Sequence, residues 1–138
     1  PIVNVHFRTK AEAEKLEITG FIGGLSQWAL VRGGIISVTI SAAEELADIP
    51  PTEIAARVWG EVSRVFGMKR DPIPPWRVVK EKRATFAQTP IQIRRRPKTG
   101  TAWRNLFLAG DWTDTGLPAT IEGAIRSGKS AAEAVSNG

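Results

Sequence analysis

The sequence predicts a mixed α+β protein, and three segments carry that prediction. Residues 2–7 alternate apolar and polar side chains, as in a strand with one buried face. Apolar residues recur at helical spacing between Ile54 and Phe66. Residues 105–135 combine a short apolar strand with a helix that is rich in small residues. With 138 residues, the chain is long enough to bury a core of its own.

The segment that follows the first strand predicts a β-hairpin. Two apolar, β-rich runs at residues 26–31 and 35–41 are separated by Arg32-Gly33-Gly34. Paired glycines supply the positive φ that tight hairpin turns need, so the two runs are expected to be its strands. Residues 8–19 are charged and predict no clear element; within them, residues 11–16 fit either a short helical turn or a loop.

A helix is expected from Thr52 to Phe66. Thr52 is the predicted N-cap, because its hydroxyl can accept a hydrogen bond from the first turn. Gly67 is expected to end the helix, since glycine adopts the left-handed conformation that closes helices. A proline-rich connector follows, then one long strand at residues 76–86 and a polar, basic loop at residues 87–104.

Composition excludes several classes of site. The chain has no cysteine and a single histidine, so a disulfide framework, a thiolate metal site and a multi-histidine metal centre are all excluded, and no metal site is predicted. No apolar run approaches the roughly 20 residues that a membrane-spanning helix needs. Cytoplasmic localisation is the expectation, with peripheral membrane association as an open alternative.

The net charge of +5 is concentrated in two basic runs, residues 80–83 and 94–98. Such runs usually form solvated surfaces, and that is the favoured interpretation here. Anionic lipid is the alternative partner for Arg94-Arg95-Arg96, which would give peripheral contact with a membrane. Stacking aromatic residues are not interleaved with these charges, which argues against a nucleic-acid partner.

The segment 105–135 has the features of a ligand-binding strand–loop–helix unit. An apolar strand at residues 106–109 is followed by Gly110 and Asp111, and a carboxylate at such a strand end can accept hydrogen bonds from polyol hydroxyls. Pro118 precedes a helix predicted from Thr120 to Val135, whose first N–H groups suit a phosphate or an electron-rich oxygen. The alternative is a purely structural unit whose small residues allow tight packing.

The same segment resembles the C-terminal FAD-binding motif of the amine-oxidase and phytoene-desaturase superfamily. Upstream stretches resemble its squalene-associated branch, the hydroxysqualene dehydroxylases, so the resemblance covers essentially the whole chain. The matching stretches are 108–113, 117–124 and 127–128 in the motif, and 1–7, 27–28, 40–43 and 80–86 upstream.

The resemblance implies a fragment of a two-domain flavoenzyme. Residues 1–104 would belong to the substrate-binding domain, and residues 105–138 would supply the last strand and helix of the FAD-binding domain. The substrate would be a squalene-type or carotenoid-type isoprenoid, and hydride would pass to or from the flavin. A polyamine or monoamine oxidase is the rival within the superfamily, disfavoured because the chain has no tyrosine for an aromatic cage. An autonomous binding module that uses the basic loop is the rival outside it.

The resemblance also implies roles for particular residues. Asp111 would bind the ribityl hydroxyls of FAD, with Gly110 allowing close approach. The backbone around Thr120 and Ile121 would face the flavin edge, while Trp112, Leu117 and Pro118 would lie near the ring, Leu117 weakly as a substrate contact. No catalytic residue is nominated.

The first half of the FAD site is not found in this sequence. The superfamily begins with a G-x-G-x-x-G loop that holds the pyrophosphate, and residues 20–24 contain glycines at the wrong spacing. This chain alone is therefore expected to bind FAD weakly or not at all, to be inactive and to need an N-terminal FAD domain as its partner. A homo-oligomer is also expected, because the apolar strand at residues 106–109 and the small-residue face of the last helix would lack the cover of that domain.

Two aromatic side chains and the histidine lie outside the motif. His6 is interpreted as a packed or hydrogen-bonded strand residue. Trp28, on a hairpin strand, is the candidate for the wall of an isoprenoid pocket. Trp59, on the predicted helix, is expected to serve packing or to lie at the surface.

Overall fold

The computed structural model describes residues 1–10 and 17–136, so the turn or loop expected at residues 11–16 lies outside the described residues. The chain divides into two units, Pro1–Ala84 and Thr85–Gly138. The first contains a sheet and a long helix, and the second contains two helices joined by loops. The expected α+β class is confirmed.

The first unit contains one five-stranded antiparallel sheet. Its strand order is β2-β3-β4-β1-β5, so the first strand in the chain lies between the hairpin and the last strand. The expected hairpin is confirmed, with Gly33 and Gly34 at φ of 55° and 73° in its turn. The strands are β1 (Ile2–Arg8), β2 (Glu17–Gly20), β3 (Trp28–Arg32), β4 (Ile35–Ser41) and β5 (Trp76–Glu81).

Helix α1 (Pro51–Val65) supplies the other half of the core. The inward residues of the three central strands alternate strictly with outward ones, and they form one apolar cluster with α1. Trp59 is buried among them: its ring lies 5.0 Å from that of Phe7, and its Nε1 donates to the carbonyl of Arg70 at 2.8 Å. Of the two alternatives expected for Trp59, packing is confirmed and a surface position is not.

The start of α1 differs from the expectation. Its N-cap is Pro50, not Thr52, and the Pro50 carbonyl accepts from Glu53 N and Ile54 N at 3.0 and 3.1 Å. Pro51 suits the first helical position because its φ is already helical and it has no N–H to satisfy. The far end follows the expectation, since Gly67 has φ of 62° and Met68 N donates to the carbonyl of Ser63 at 2.7 Å.

Two strands also differ from the expectation. The last strand of the sheet ends at Glu81 and not at Phe86, because β1 is its only neighbour among the described strands and pairing stops where Ile2 meets Glu81. Strand β2 was not predicted. It is short and mostly exposed, and its pairing with β3 determines its conformation.

The second unit contains α2 (Pro90–Arg94) and α3 (Ile121–Ser136). The long C-terminal helix agrees with the expected one to within one residue at each end. The strand expected at residues 106–109 is reduced to a single antiparallel bridge between Gly100 and Phe107. Among the described residues of this unit no further strand lies beside it, and Leu106 stays 43% exposed.

None of the helices within the described ranges has both the length and the apolar character needed to cross a membrane.

Candidate functional site

The predicted cofactor residues lie together on the connection that leads into α3. This connection, residues 110–120, is called the Gly110–Thr120 loop below. It begins at Gly110, whose φ of 151° is rarely adopted by residues with a side chain. A Cβ at this position would also collide with the Trp112 indole, so glycine is required both by its backbone and by its neighbour.

A buried hydroxyl pair fastens the start of this loop to α3. Ser127 Oγ accepts from Gly110 N at 2.8 Å, and Thr113 Oγ1 donates to the Gly110 carbonyl at 2.8 Å. The two hydroxyls are 2.7 Å apart and both residues are 1% exposed. Because the Thr113 proton is already used, Ser127 must donate to Thr113, which satisfies every polar group of the pair.

Arg96 holds the middle of the loop through hydrogen bonds from its side chain. Its guanidinium donates to the carbonyls of Asp111 (2.8 Å), Trp112 (3.4 Å) and Leu117, and to Thr115 Oγ1 (3.4 Å). Its Cζ also lies 5.6 Å from the centre of the Phe86 ring, within the range of a cation–π contact. The expectation of a solvated basic loop is therefore wrong for Arg96, although its two arginine neighbours are exposed.

Asp111 is left with a free carboxylate. Arg96 binds its backbone carbonyl, and its side chain is only half-buried. Within residues 1–10 and 17–136 the carboxylate has no hydrogen-bond or ion-pair partner. A carboxylate that is held by its backbone and has unused acceptor oxygens is suited to bind hydroxyl groups.

The start of α3 is shaped by Thr120 and Gly123. Thr120 Oγ1 accepts from Gly123 N at 3.1 Å, and the Thr120 carbonyl accepts from Ala124 N at 2.9 Å, so Thr120 is the N-cap. A Cβ on Gly123 would come within 3.0 Å of the Pro118 carbonyl, so glycine lets the loop pass close to the helix. The N–H groups of Ile121 and Glu122 have no acceptor within the helix.

Three predicted neighbours of the ring also lie on the loop. Trp112 is 44% exposed, Pro118 is exposed and Leu117 is half-buried. The structure therefore brings together Gly110, Asp111, Trp112, Leu117, Pro118, Thr120 and Ile121 on one loop and the first turn of one helix. Sequence analysis missed Arg96, Thr113 and Ser127, which hold that loop in place through hydrogen bonds to backbone groups.

Trp28 lies in the first unit, on the face of the sheet turned away from α1. It is 57% exposed, and its ring covers Gly20 on the neighbouring strand, where a Cβ would come within 3.3 Å of it. Across β4 and β1 the same face carries two hydrogen-bonded polar pairs. Thr39 Oγ1 donates to Asn4 Oδ1 at 2.8 Å, and His6 Nδ1 lies 2.9 Å from Ser37 Oγ.

Glu61 of α1 holds the segment that leads into β3, the strand that begins at Trp28. Its two carboxylate oxygens accept from Leu25 N at 2.8 Å and Ser26 N at 2.7 Å. Burial acts to raise the pKa of Glu61, but hydrogen-bond donors from Ser26 and Leu25, together with the charge of Arg64, outweigh it, and the net effect lowers that pKa. The backbone N–H groups are the donors with clear geometry, since the buried Ser26 hydroxyl has no hydrogen-bond partner among the described residues.

The chain is similar to several known proteins. The family of flavin containing amine oxidoreductases matches residues 1–136. The hydroxysqualene dehydroxylase of Rhodopseudomonas palustris is 50% identical over 97% of this chain and 32% of the relative's length. The enzyme of the same name from Zymomonas mobilis is 50% identical over 96% and 32%. A probable zeta-carotene desaturase of Synechococcus elongatus is 29% identical over 75% and 22%.

This chain spans about a third of the length of the hydroxysqualene dehydroxylases that it matches. The family match nevertheless covers nearly all of this chain, residues 1–136. It therefore includes both the sheet that carries Trp28 and the loop that carries Asp111. The chain belongs to the flavin-containing amine oxidoreductase family.

Proposed function

We propose that this chain is part of an FAD-dependent oxidoreductase that removes the hydroxyl group of a squalene-type isoprenoid. The Gly110–Thr120 loop and the start of α3 would form the second half of the flavin site. The exposed face of the sheet would form one wall of the substrate site. The observation that carries the proposal is the free carboxylate of Asp111, held by its backbone on the same loop that ends at the N-terminus of α3.

The residues fit the cofactor that the family implies. The Asp111 carboxylate can accept hydrogen bonds from the ribityl hydroxyls, and the N–H groups of Ile121 and Glu122 can donate to an electron-rich oxygen of the ring. Trp112 and Leu117 offer apolar surface beside them. A bound flavin would supply the hydride chemistry, while these residues bind it, orient it and exclude water.

The substrate class is supported by the chemistry of the first unit and by the names of the relatives. Hydroxysqualene and carotenoids are long, apolar chains, and the exposed sheet face presents Trp28, Leu30 and Val79 to such a chain. Burying apolar surface of this kind contributes about 25 cal/mol per Å². The three hydroxysqualene dehydroxylases at 47–50% identity favour a hydroxylated squalene over a carotenoid.

The flavin part of the proposal is tested at Asp111 in the longer flavoenzyme that the proposal describes. Asp111→Ala should weaken FAD retention by about 1.5–3 kcal/mol, the contribution of hydrogen bonds to a charged group. The melting temperature of the apoprotein should change little, because the carboxylate has no partner in the described chain. FAD content after gel filtration and the melting temperature of the apoprotein are the two measurements.

Asp114→Ala is the matched control, because Asp114 is an exposed carboxylate on the same loop. It should leave FAD content unchanged. If Asp111→Ala instead lowers the melting temperature and leaves flavin content intact, Asp111 stabilises the loop and the flavin assignment is wrong.

A further inference from the structure

We infer that Asn4 and His6 bind the hydroxyl group of the isoprenoid substrate. This inference rests on the proposed function, and it assigns substrate recognition to two residues of β1. They project from the sheet face opposite α1, two positions apart on one strand, so their Cα atoms are about 7 Å apart. Each is held by a partner directly across from it on β4.

The first pair leaves the amide nitrogen of Asn4 free to donate. Asn4 Oδ1 accepts the proton of Thr39 Oγ1 at 2.8 Å, which orients the amide and leaves its Nδ2 hydrogens available. Asn4 is half-buried and has no other side-chain hydrogen bond in the described part of the chain. An amide in this state can donate to one oxygen placed over the sheet.

The second pair leaves one free ring nitrogen. His6 Nδ1 lies 2.9 Å from Ser37 Oγ, and Nε2 has no hydrogen-bond partner among the described residues. In a neutral imidazole, Nε2 is a donor if Nδ1 accepts from Ser37, and it is an acceptor if Nδ1 donates. A hydroxyl group can form a hydrogen bond with either tautomer of His6, because it both donates and accepts. A shallow cavity of about 300 Å³ opens beside His6 at the end of the sheet.

Apolar side chains flank these polar groups on the same face, and the charged Arg77 of β5 pairs directly with His6. Trp28 lies in the cross-strand row of Thr39 and Asn4, and Val79 pairs with Asn4 from the other side. Leu30 lies in the row of Ser37 and His6. Their exposed fractions are 57% for Trp28, 40% for Val79 and 36% for Leu30. Polar groups with apolar neighbours in the same cross-strand rows match a long hydrocarbon that carries one hydroxyl group, and they match a plain hydrocarbon poorly.

The experiment compares the affinities of hydroxysqualene and squalene for the longer flavoenzyme, measured by quenching of tryptophan fluorescence. The unchanged protein should bind hydroxysqualene more tightly. Asn4→Leu and His6→Phe should each weaken hydroxysqualene binding by about tenfold, the value of one or two hydrogen bonds. Binding of squalene should stay the same or improve. Thr39→Val should have a smaller effect in the same direction, because it removes only the anchor of Asn4.

Ser41→Ala is the matched control, since Ser41 lies on β4 and on the same face as Thr39 and Ser37 but bonds Gln27 through its backbone alone. It should change neither affinity. Equal losses for both ligands, or no loss for either, would show that the polar pairs only stabilise the sheet, and the inference would be wrong. If the unchanged protein retains FAD but binds neither ligand, the substrate class proposed above is wrong and this inference falls with it.

Discussion

The guanidinium of Arg96 donates to the carbonyl of Asp111 at 2.8 Å, and the two residues are fifteen positions apart in the chain. Through this bond and its companions, one cation holds the backbone of a loop whose own carboxylate stays free. If a cation bound the Asp111 carboxylate directly, it would occupy the carboxylate oxygens that are proposed to accept hydrogen bonds from the cofactor. The arrangement separates the residue that shapes the loop from the residue that is proposed to bind the cofactor.

Replacing Arg96 should therefore loosen the loop. Arg96→Lys keeps the charge but cannot reach three carbonyls and a hydroxyl at once, because the ammonium lacks the fixed fork of the guanidinium. We expect a loss of about 1–3 kcal/mol in the free energy of unfolding. Faster hydrogen exchange at the amides of Thr113 and Asp114 should accompany it.

Arg95→Lys provides the control, since Arg95 is exposed and its side chain makes no hydrogen bond to the described residues. It should leave both measurements unchanged. Equal effects of the two substitutions would mean that the Arg96 contacts do not hold the loop.

Ser127→Ala should also destabilise the loop, by a different route. The substitution leaves the Gly110 N–H without an acceptor, and it removes the proton that Thr113 Oγ1 receives. An unsatisfied buried polar group costs about 1–3 kcal/mol, so a urea denaturation curve should shift to a lower midpoint. Ser130→Ala, at an exposed position on the same helix, should leave the midpoint in place.

Glu61 predicts a pH-dependent stability. Its pKa in the folded chain lies below its ordinary value, so its contribution is complete above the ordinary pKa and is lost as the pH falls through the lowered folded pKa. Glu61→Gln should thus lower the melting temperature at pH 7, and the difference from the unchanged protein should shrink towards pH 3. Glu53→Gln removes only an exposed carboxylate with a 3.9 Å ion pair and should show little of either effect. A difference that is constant with pH would indicate that Glu61 acts through packing and not through its charge.

The parts of the fold that could be predicted are those whose signals are local. Gly33 and Gly34 determine the hairpin turn, and the periodicity of α1 follows from burial of one helical face. Strand β2 could not be predicted, because Glu17–Gly20 has no strand pattern and becomes a strand only by pairing with β3. The segment around Phe107 shows the opposite outcome. Its apolar run predicts a strand, but only a single bridge to Gly100 forms, because a stable strand needs neighbouring strands to pair with.

The candidate site divides in the same way. Gly110 and Asp111 could be found because a glycine and a carboxylate at the end of an apolar run suggest ligand chemistry. Arg96 could not be found from the sequence, because it is the third of three consecutive arginines. Only the folded loop distinguishes it from Arg94 and Arg95. Ser127 counts as one small residue among many in the helix, and its role depends on the buried position of Thr113.

The exposed face of α3 leads to the last prediction, that the 138-residue chain self-associates. Ile121 and Ile125 are one turn apart and are 83% and 63% exposed; Val135 further along is 61% exposed. Gly128 between them has open space where its Cβ would lie. An apolar helix face of this kind usually finds a partner, and in the longer flavoenzyme the proposed N-terminal domain would cover it.

Sedimentation velocity at micromolar concentration should then show a homodimer or a larger assembly. Ile125→Glu should shift the chain to monomer, because it places a charge in the middle of the apolar face and burying that charge without a partner is costly. Ser130→Glu adds the same charge on another side of the helix and should leave the assembly intact, which separates a specific contact from a general effect of net charge. A folded monomer for the unchanged chain would mean that this helix face tolerates exposure to water, and the prediction of a homo-oligomer would be wrong.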